Sequence, residues 1–382
     1  MRLWKRILIA VLAVVVLAAA GGLAGGGWYL SDILKKDALT PNHNPAALDM
    51  RVSAVSADQI TLEATTSTSK TSPWRYNGEW GMRWDGGYAR VGMIQELTDR
   101  QVTRVLEKID NGDLRAGDMV RLEGAAYAGD PQLALGIAFQ EVRYTSSLGI
   151  FGAWYVPGDS ATWAIIVHGR NAPLREGLRI LPPLTAMGYP ALLINYRNDD
   201  GMPTNGDGLL RYGQTEWQDL EGAVGYAIAH GAKDVVLVGY SMGGAVVVSF
   251  LYQSPLAGKV RGVILDAPMM DFNETIDLGV KQRGYPVIVA GVAKAVSGLR
   301  FGVDWGKLDY LRGVDRLKTP ILLFHGDADP TVPIATSDAL AAARPDLVQY
   351  VRVPGALHVG AWNRDPSAYE AAVRDFLAGI PE

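Results

Sequence analysis

The sequence predicts an α/β protein whose largest part is a doubly wound, mainly parallel sheet with an inserted cap. Three observations along its 382 residues predict this class. From residue 137 to the end, short apolar strands alternate with segments of helical period, which is typical of βαβ units. Residues 49–136 carry shorter runs in which apolar and polar residues alternate, which predicts a small β-rich domain. An uncharged, mostly apolar run precedes both parts and predicts a membrane segment.

Composition and charge exclude several classes of function. The formal net charge is −4 and the charged residues are interspersed, so no basic surface suited to nucleic acid is expected. The chain contains no cysteine, which excludes disulfides, thiolate catalysis and cysteine-ligated metals. A hydrophobic content of 48% in a chain of this length is enough for a large core.

Residues 1–30 are predicted to form a transmembrane anchor. Three basic residues, the last of them Arg6, precede a run from Ile7 to Leu30 that is long enough to cross a hydrocarbon core of roughly 30 Å. The basic flank favours a cytoplasmic N-terminus, which places the rest of the chain outside the cell membrane. A cleaved signal peptide is the alternative, because Ala18 to Ala20 offer a small-residue cleavage pattern. Both interpretations export the remainder of the chain.

The segment that follows is predicted to be a linker leading into the β-rich domain. Residues 31–48 are polar and interrupted by Pro41 and Pro45. Within the domain, apolar and polar residues alternate over residues 59–64, as they do in a half-buried strand, and residues 85–87 predict a hairpin turn. We find no set of catalytic residue types there, so a packing or spacer module is the expected role.

The α/β part is predicted from residue 137 to residue 382, with one long interruption. Residues 267–318 exceed the usual length of a connection and are predicted to cap the site. Their methionine and aromatic side chains predict an apolar acyl pocket. The predicted strands are 162–168, 190–196, 234–240, 260–266, 320–325 and 348–353, and the predicted helices are 174–187, 215–230, 242–252, 337–343 and 367–378.

A nucleophilic serine is predicted at Ser241. Gly239, Tyr240, Ser241, Met242 and Gly243 form a G-x-S-x-G motif that ends an apolar strand and begins an apolar helix, as a nucleophile elbow requires. A serine on so sharp a turn adopts strained dihedral angles, and side chains two residues to either side would collide. The helix that begins there offers free N–H groups to a developing oxyanion.

Histidine is the base that such a serine needs, because its unperturbed pKa lies near neutrality. His358 follows the last predicted strand, and the carboxyl ends of strands in an open α/β sheet gather where Ser241 is expected. The other histidines are His43 in the linker, His230 at a helix end, and His168 and His325 at strand ends, where each ring is expected to shape a turn.

The third member of the predicted triad is a carboxylate between the serine and the histidine in chain order. Asp327 and Asp329 follow a buried strand directly, and Asp329 lies further out in the loop, from which it can better reach His358. Asp266, which ends the preceding strand, is the alternative acid. For Asp327 we expect a surface salt bridge.

Two backbone amides are predicted to bind the oxyanion. One belongs to Met242, which follows the nucleophile, and the other to Arg170, in the loop after the first long strand. The guanidinium of Arg170 is expected either to form a structural ion pair or to meet an anionic group of the substrate.

Five motifs in this order resemble those of the α/β-hydrolase superfamily. Within it, the pattern is most similar to prolyl-oligopeptidase-like and serine-aminopeptidase-like members. The β-rich domain with its membrane segment resembles that of exported actinobacterial hydrolases. The motifs are His-Gly-Arg at 168–170, Asn-Tyr-Arg-Asn-Asp-Asp-Gly at 195–201, Gly-Tyr-Ser-Met-Gly-Gly at 239–244, His-Gly-Asp-Ala-Asp-Pro-Thr-Val-Pro at 325–333 and Leu-His-Val at 357–359.

The resemblance implies an α/β-hydrolase fold and a serine hydrolase that cleaves carboxylic esters or other acyl bonds. It implies a triad of Ser241, His358 and Asp329, an acyl-enzyme intermediate, small-molecule ester, acyl or peptide substrates, and no metal or organic cofactor. Two alternatives stay open. The first is a serine peptidase for short peptides, which would need an acidic pair to hold a substrate amino terminus. The second is a non-catalytic, membrane-tethered binding protein of the same fold.

Overall fold

The computed structural model of the chain describes Trp4, Lys5, Ile7, Leu8 and residues 25–380. Their strands form two separate systems, a closed barrel and an eight-stranded sheet. The barrel has its own apolar core, whereas the sheet has one core on each face. The predicted succession of a small β domain and a larger α/β domain therefore corresponds to two units, each with its own packing of apolar side chains.

The β-rich domain is a six-stranded antiparallel barrel in which the first strand pairs with the last. The turn at residues 85–87 joins two of its strands. One strand was not predicted, because Arg104 stands in it at an inward-facing position that alternation would assign to an apolar residue. The strands are β1 Met50–Val55, β2 Gln59–Ala64, β3 Trp80–Trp84, β4 Gly87–Leu97, β5 Gln101–Asn111 and β6 Met119–Glu123, in the order β1-β2-β5-β4-β3-β6.

Arg104 closes one end of this barrel from the inside. Its guanidinium is buried and donates hydrogen bonds to the backbone carbonyls of Tyr76 at 2.6 Å and Gly92 at 2.8 Å, among others. Burial lowers the pKa of Arg104 to about 10. The buried cation is tolerated because carbonyl oxygens surround it, and it fixes the loop that precedes β3.

The large sheet is mainly parallel, as predicted, with an antiparallel hairpin at one edge. β8 runs antiparallel to both β7 and β10, and the pairs from β10 to β14 are parallel. The strands are β7 Gln140–Thr145, β8 Ile150–Val156, β9 Thr162–Val167, β10 Ala191–Ile194, β11 Asp234–Tyr240, β12 Val260–Asp266, β13 Ile321–Gly326 and β14 Val348–Val353, in the order β14-β13-β12-β11-β9-β10-β8-β7.

Helices cover both faces of this sheet. The predicted helix 174–187 is divided into a 3-10 segment, Leu174–Ile180, and a short α-helix, because Pro182 and Pro183 lack N–H donors and suit only a helix start. The helices are α1 Pro131–Leu135, α2 Leu181–Ala186, α3 Trp217–Ala229, α4 Met242–Gln253, α5 Phe272–Gln282, α6 Val287–Phe301, α7 Ile334–Ala343, α8 Ala361–Arg364 and α9 Pro366–Gly379.

The predicted membrane anchor falls largely outside the described residues. Within the part that the structure describes, no helix combines the length and the apolar character needed to cross a bilayer. Residues 25–34 are helical and continue into a π-helical turn, Lys35–Leu39. The first part of the predicted linker is therefore helical, because Leu34, Ala38 and Leu39 supply an apolar side that packs into the core of the α/β domain.

Candidate active site

Ser241 lies at the turn between β11 and α4, in a backbone conformation that side chains rarely adopt. Its φ is 49° and its ψ is −115°. A Cβ atom on Gly239 would lie 2.7 Å from Gly244 Cα, and one on Gly243 would lie 2.2 Å from the Val167 carbonyl oxygen. Both distances are shorter than any ordinary contact, so the two glycines are needed for the turn.

His358 connects Ser241 to Asp329. Its Nε2 lies 2.9 Å from Ser241 Oγ, and its Nδ1 lies 2.7 Å from Asp329 Oδ2. Because an ionised carboxylate only accepts hydrogen bonds, Nδ1 carries the proton, and the unprotonated Nε2 can accept the serine hydroxyl. The structure thus brings the three side chains that the sequence predicts into one hydrogen-bonded row.

The carboxylate of Asp329 is fully buried and held on both oxygens. Oδ1 accepts the N–H groups of Thr331 at 2.7 Å and Val332 at 3.0 Å. Oδ2 lies 2.7 Å from His358 Nδ1 and 3.2 Å from His325 Nε2. Burial alone would raise the pKa of Asp329, but the two imidazoles and their hydrogen bonds hold it well below its usual value. This acid therefore stays ionised at neutral pH.

His325 takes part in this network, which the sequence analysis did not foresee. Its ring is buried, with Nδ1 2.7 Å from Ser337 Oγ and Nε2 facing Asp329 and the Val332 carbonyl. Two oxygen acceptors at Nε2 require a proton on that nitrogen. The only feature of the sequence that could have indicated this contact is the spacing of four residues between His325 and Asp329.

Neither alternative acid contacts His358. Asp327 is exposed, and its carboxylate accepts the Gly355 N–H at 2.7 Å, so the salt bridge expected for it is not formed. Asp266 is buried without a hydrogen-bond partner for either carboxylate oxygen, and burial raises its pKa to about 7. Its contribution to the elbow comes from the main chain, because its carbonyl accepts the Ser241 N–H at 3.0 Å.

The amide of Met242 faces the elbow without a helical partner. Met242 is the first residue of α4, and the first N–H groups of a helix have no acceptor within it. The partial positive charge of the helix N-terminus strengthens the attraction of this amide for a negatively charged group.

The peptide bond between Gly169 and Arg170 is held in one orientation. The Gly169 carbonyl lies 2.8 Å from His168 Nδ1 and accepts the Tyr196 hydroxyl at 3.3 Å. Because a trans peptide points its C=O and N–H in opposite directions, the Arg170 N–H is turned away from both groups. Gly169 itself lies close to Ser241, since a Cβ atom on it would lie 3.2 Å from Ser241 Cβ.

Neighbouring side chains and backbone groups hold the loop at residues 168–170 through further hydrogen bonds. The Gly169 N–H donates to Glu176 at 2.7 Å, so it is not free for a substrate. His168 Nε2 lies 2.9 Å from an Asp199 oxygen. Burial alone would lower the pKa of His168, but Asp199 raises it above 6.5, and both ring nitrogens face oxygen acceptors. The guanidinium of Arg170 donates to backbone carbonyls of the N-terminal segment instead of forming an ion pair.

Ser241 and His358 open into a cleft of about 840 Å³. The N-terminal segment from Asn42 to Ala46 forms one wall, held by the Asn42 N–H donating to Asn171 at 2.9 Å. More than half of the lining residues carry polar or charged side chains, although apolar atoms supply the larger share of the exposed surface. The charged residues of the lining are Arg83, Glu123, Arg170, Arg175, Glu176, Arg179, Asp199 and Asp200.

The prediction that residues 267–318 cap the site with apolar side chains is wrong for this cleft. None of the described lining residues comes from that segment. Its apolar side chains are used elsewhere, since Met269, Met270 and Phe272 belong to the core on one face of the sheet. Phe272 stacks on Tyr212 with ring centroids 3.7 Å apart.

The barrel contributes a wall of the cleft through one ion-pair cluster. Glu123 on β6 accepts hydrogen bonds from Arg83 on β3 at 2.8 Å and from Arg175 of the α/β domain at 2.6 Å. Arg175 also donates to the hydroxyl of Tyr88 on β4 at 2.9 Å. The barrel is therefore more than the spacer expected from its sequence, because it contributes to the wall of the cleft into which Ser241 opens.

Comparison with known protein families covers most of the chain. A family model described as "Alpha/beta hydrolase family" matches residues 152–379, and one described as a domain of unknown function (DUF8805) matches residues 51–123. The second match coincides with the strands of the barrel.

Individual proteins resemble about two thirds of this chain or somewhat less. The uncharacterized protein Rv2307c of Mycobacterium tuberculosis is 26% identical over 59% of this chain and 74% of its own length. The uncharacterized protein YfhR of Escherichia coli is 23% identical over 66% of this chain and 83% of its own. The solved esterase Pf2001 of Pyrococcus furiosus superposes with a TM-score of 0.52 at 20% identity, covering 66% of this chain and 96% of that one. This structural likeness concerns the fold.

Proposed function

Since the chain belongs to the α/β-hydrolase family, we propose that it is a serine hydrolase that cleaves carboxylic esters through an acyl-enzyme. The observation that carries the proposal is the hydrogen-bonded row from Ser241 Oγ through His358 to Asp329, with distances of 2.9 and 2.7 Å. A buried, ionised acid that fixes the histidine tautomer is what nucleophilic serine chemistry requires.

The proposed reaction has two halves. Ser241 Oγ attacks the ester carbonyl carbon while His358 Nε2 takes the hydroxyl proton, and the imidazolium then gives that proton to the leaving alcohol. Water next attacks the acyl carbon, loses a proton to Nε2, and the serine oxygen leaves with that proton. The amides of Met242 and Arg170 are the proposed donors to the oxyanion in both halves.

The cleft supports short or polar esters in preference to long acyl chains. Its charged lining has to stay hydrated or paired, and an extended alkyl chain placed against it would desolvate these groups without compensation. We therefore expect kcat/KM for p-nitrophenyl esters to be highest for acetate or butyrate and to fall with chain length. The assay uses the full chain in detergent.

Two variants control the assay. Ser241→Ala is expected to abolish turnover, while Ser147→Ala, at an exposed serine, is expected to retain it. A maximum at octanoate or longer would contradict the polar-substrate assignment. Equal rates for the Ser241→Ala variant and the unaltered chain would contradict the assignment of Ser241 as the nucleophile.

A serine peptidase for short peptides is placed second. Such an enzyme would need a pair of free carboxylates to hold a substrate amino terminus. Among the described lining residues, Glu123 is paired with two arginines, Asp199 with a histidine, and Glu176 with a backbone amide. Asp200 is exposed in the cleft but has no second free carboxylate beside it to complete a pair, so esters are the first choice.

We further propose that residues 7–30 anchor the protein in the cell membrane and leave the hydrolase domain outside the cytoplasm. The support is the uncharged run behind a basic flank. Mass spectrometry of the mature N-terminus tests this proposal. An anchored protein keeps the sequence before Gly21, whereas a secreted protein that begins near Gly21 would contradict it.

A further inference from the structure

The outer face of α6 is apolar along its whole length. Ile288 is 76% exposed and Leu299 is 89% exposed, with Gly291 and Ala295 exposed between them. The cations of this helix are engaged elsewhere, since Lys294 pairs with Asp277 at 2.8 Å and Arg300 with Asp32 at 2.8 Å. A surface helix normally carries charged or polar residues on its outer face, so this one calls for an explanation.

The N-terminal helix, residues 25–34, extends the same surface. A Cβ atom on Gly27 would lie 2.9 Å from the Val296 side chain, so the two helices touch closely there. The guanidinium of Arg300 lies 3.7 Å from the ring centroid of Trp28 and also pairs with Asp32. Together the two helices form what we call the apolar patch, which consists of Trp28, Tyr29, Tyr285, Val287, Ile288 and Leu299.

The sequence upstream of this patch indicates what covers it. Residues 9–24 contain no charged residue, and they lead directly into the N-terminal helix at Gly25. Gly27 lies against the middle of α6, and Trp28 and Asp32 lie against Arg300 near its end. The N-terminal helix therefore runs along α6 from Asp32, near the end of α6, to Gly27, near its middle.

The composition of the patch fits the interface of a bilayer. Tryptophan and tyrosine favour the boundary between lipid headgroups and acyl chains, where their polar atoms stay hydrated. Lys281 is exposed in the stretch that leads to Tyr285 and α6, where it can meet anionic headgroups, whereas Arg283 pairs with Asp37 at 3.1 Å. An amphipathic helix with such residues lies in the interface plane with its apolar face in lipid.

We propose that the apolar patch rests in the surface of the bilayer to which the N-terminal anchor attaches the chain. This inference rests on the proposed membrane attachment and is independent of the proposed ester chemistry. The N-terminal helix continues through Leu39 into the wall of the cleft at Asn42, so the lipid contact would hold that wall at a fixed height above the membrane.

The absence of cysteine from the chain allows a direct test. Ile288→Cys in the full chain is labelled with the environment-sensitive fluorophore NBD and reconstituted into vesicles of phosphatidylcholine and phosphatidylglycerol. The label is expected to shift to the blue and to be quenched when doxyl lipids are included, because the apolar face of an interfacial helix lies at the boundary between headgroups and acyl chains. Ala57→Cys, exposed in the turn between β1 and β2, is the matched control and should show neither effect.

Three results would overturn the proposal. A label at residue 288 that behaves like the control places the patch in water. A blue shift without doxyl quenching indicates that a second copy of the chain, and not lipid, covers the patch. A protein that does not float with the vesicles has no membrane attachment at all. Ester turnover of the same samples is recorded separately, so a failure of the chemistry is not mistaken for a failure of the patch.

Discussion

At the scale of single residues, the candidate site depends on one buried acid. Asp329 accepts two backbone amides and faces two imidazoles, whereas Asp266 is equally buried but has no hydrogen-bond partner. Only Asp329 can fix the tautomer of His358. The sequence ranked Asp329 first from its place in the loop, but the four contacts that hold it depend on the folded loop and on His325.

Asp329→Asn is predicted to lower kcat by about 10⁴-fold, because an amide opposite Nδ1 favours the wrong tautomer of His358. The measurement is steady-state kinetics on a short ester, with circular dichroism to show that the variant is folded. Asp327→Asn is the matched control and should change kcat little, since that carboxylate only accepts the Gly355 amide. A comparable loss in Asp266→Asn instead would assign the role to the other acid.

The pH dependence of kcat/KM reports the ionisation of His358 in the free enzyme. Burial alone would lower the pKa of His358, but the Asp329 carboxylate raises it above 6.5. Because only the neutral imidazole accepts the serine proton, activity should rise with pH through a midpoint above 6.5. In Asp329→Asn, the residual activity should show this midpoint at lower pH. An unchanged midpoint in the variant would argue against coupling between the two groups.

At the scale of elements, the elbow could be predicted closely and the surroundings of the site could not. The limits of β11 and the start of α4 follow from an apolar run and a local glycine pattern. The apolar residues of 267–318 gave no such local signal, because which surface a helix covers is decided by tertiary packing. The wall at Asn42 depends on a contact with Asn171, far along the chain, which no local pattern encodes.

Gly243→Ala is predicted to destabilise the protein severely, because the new Cβ would lie 2.2 Å from the Val167 carbonyl oxygen. Thermal unfolding of the full chain measures the effect. Gly225→Ala, in α3 with nothing within 4 Å, is the control and should stabilise the protein by up to about 1 kcal/mol. Equal melting temperatures for the two variants would show that the elbow is not constrained as described.

At the scale of the whole molecule, the cleft belongs to both domains. Glu123 of the barrel faces two arginines, and one of them, Arg175, belongs to the α/β domain. The sequence could indicate that a β domain exists, but it held no signal for this shared wall, because the three charges come from separate elements. The barrel therefore contributes to the lining of the cleft and is not only a neighbour in the chain.

Glu123→Gln is predicted to raise KM for a short ester several-fold with a smaller change in kcat. The reason is that two partly buried guanidiniums lose their counter-charge at the wall of the cleft, while the nucleophile and base are untouched. Glu96→Gln, at an exposed position on β4, is the control. A fall in kcat with KM unchanged would place the effect at the reacting atoms and contradict a wall role.

The most direct test of the central claim is covalent labelling of the nucleophile. The full chain and its Ser241→Ala variant are treated with a fluorophosphonate, which reacts with activated serines, and the adduct is located by peptide mass spectrometry. We predict one adduct, on Ser241, that is absent from the variant and strongly reduced in His358→Ala. A folded protein that takes no label at Ser241, or that is labelled equally well without His358, would contradict the proposal that His358 activates Ser241 as a nucleophile.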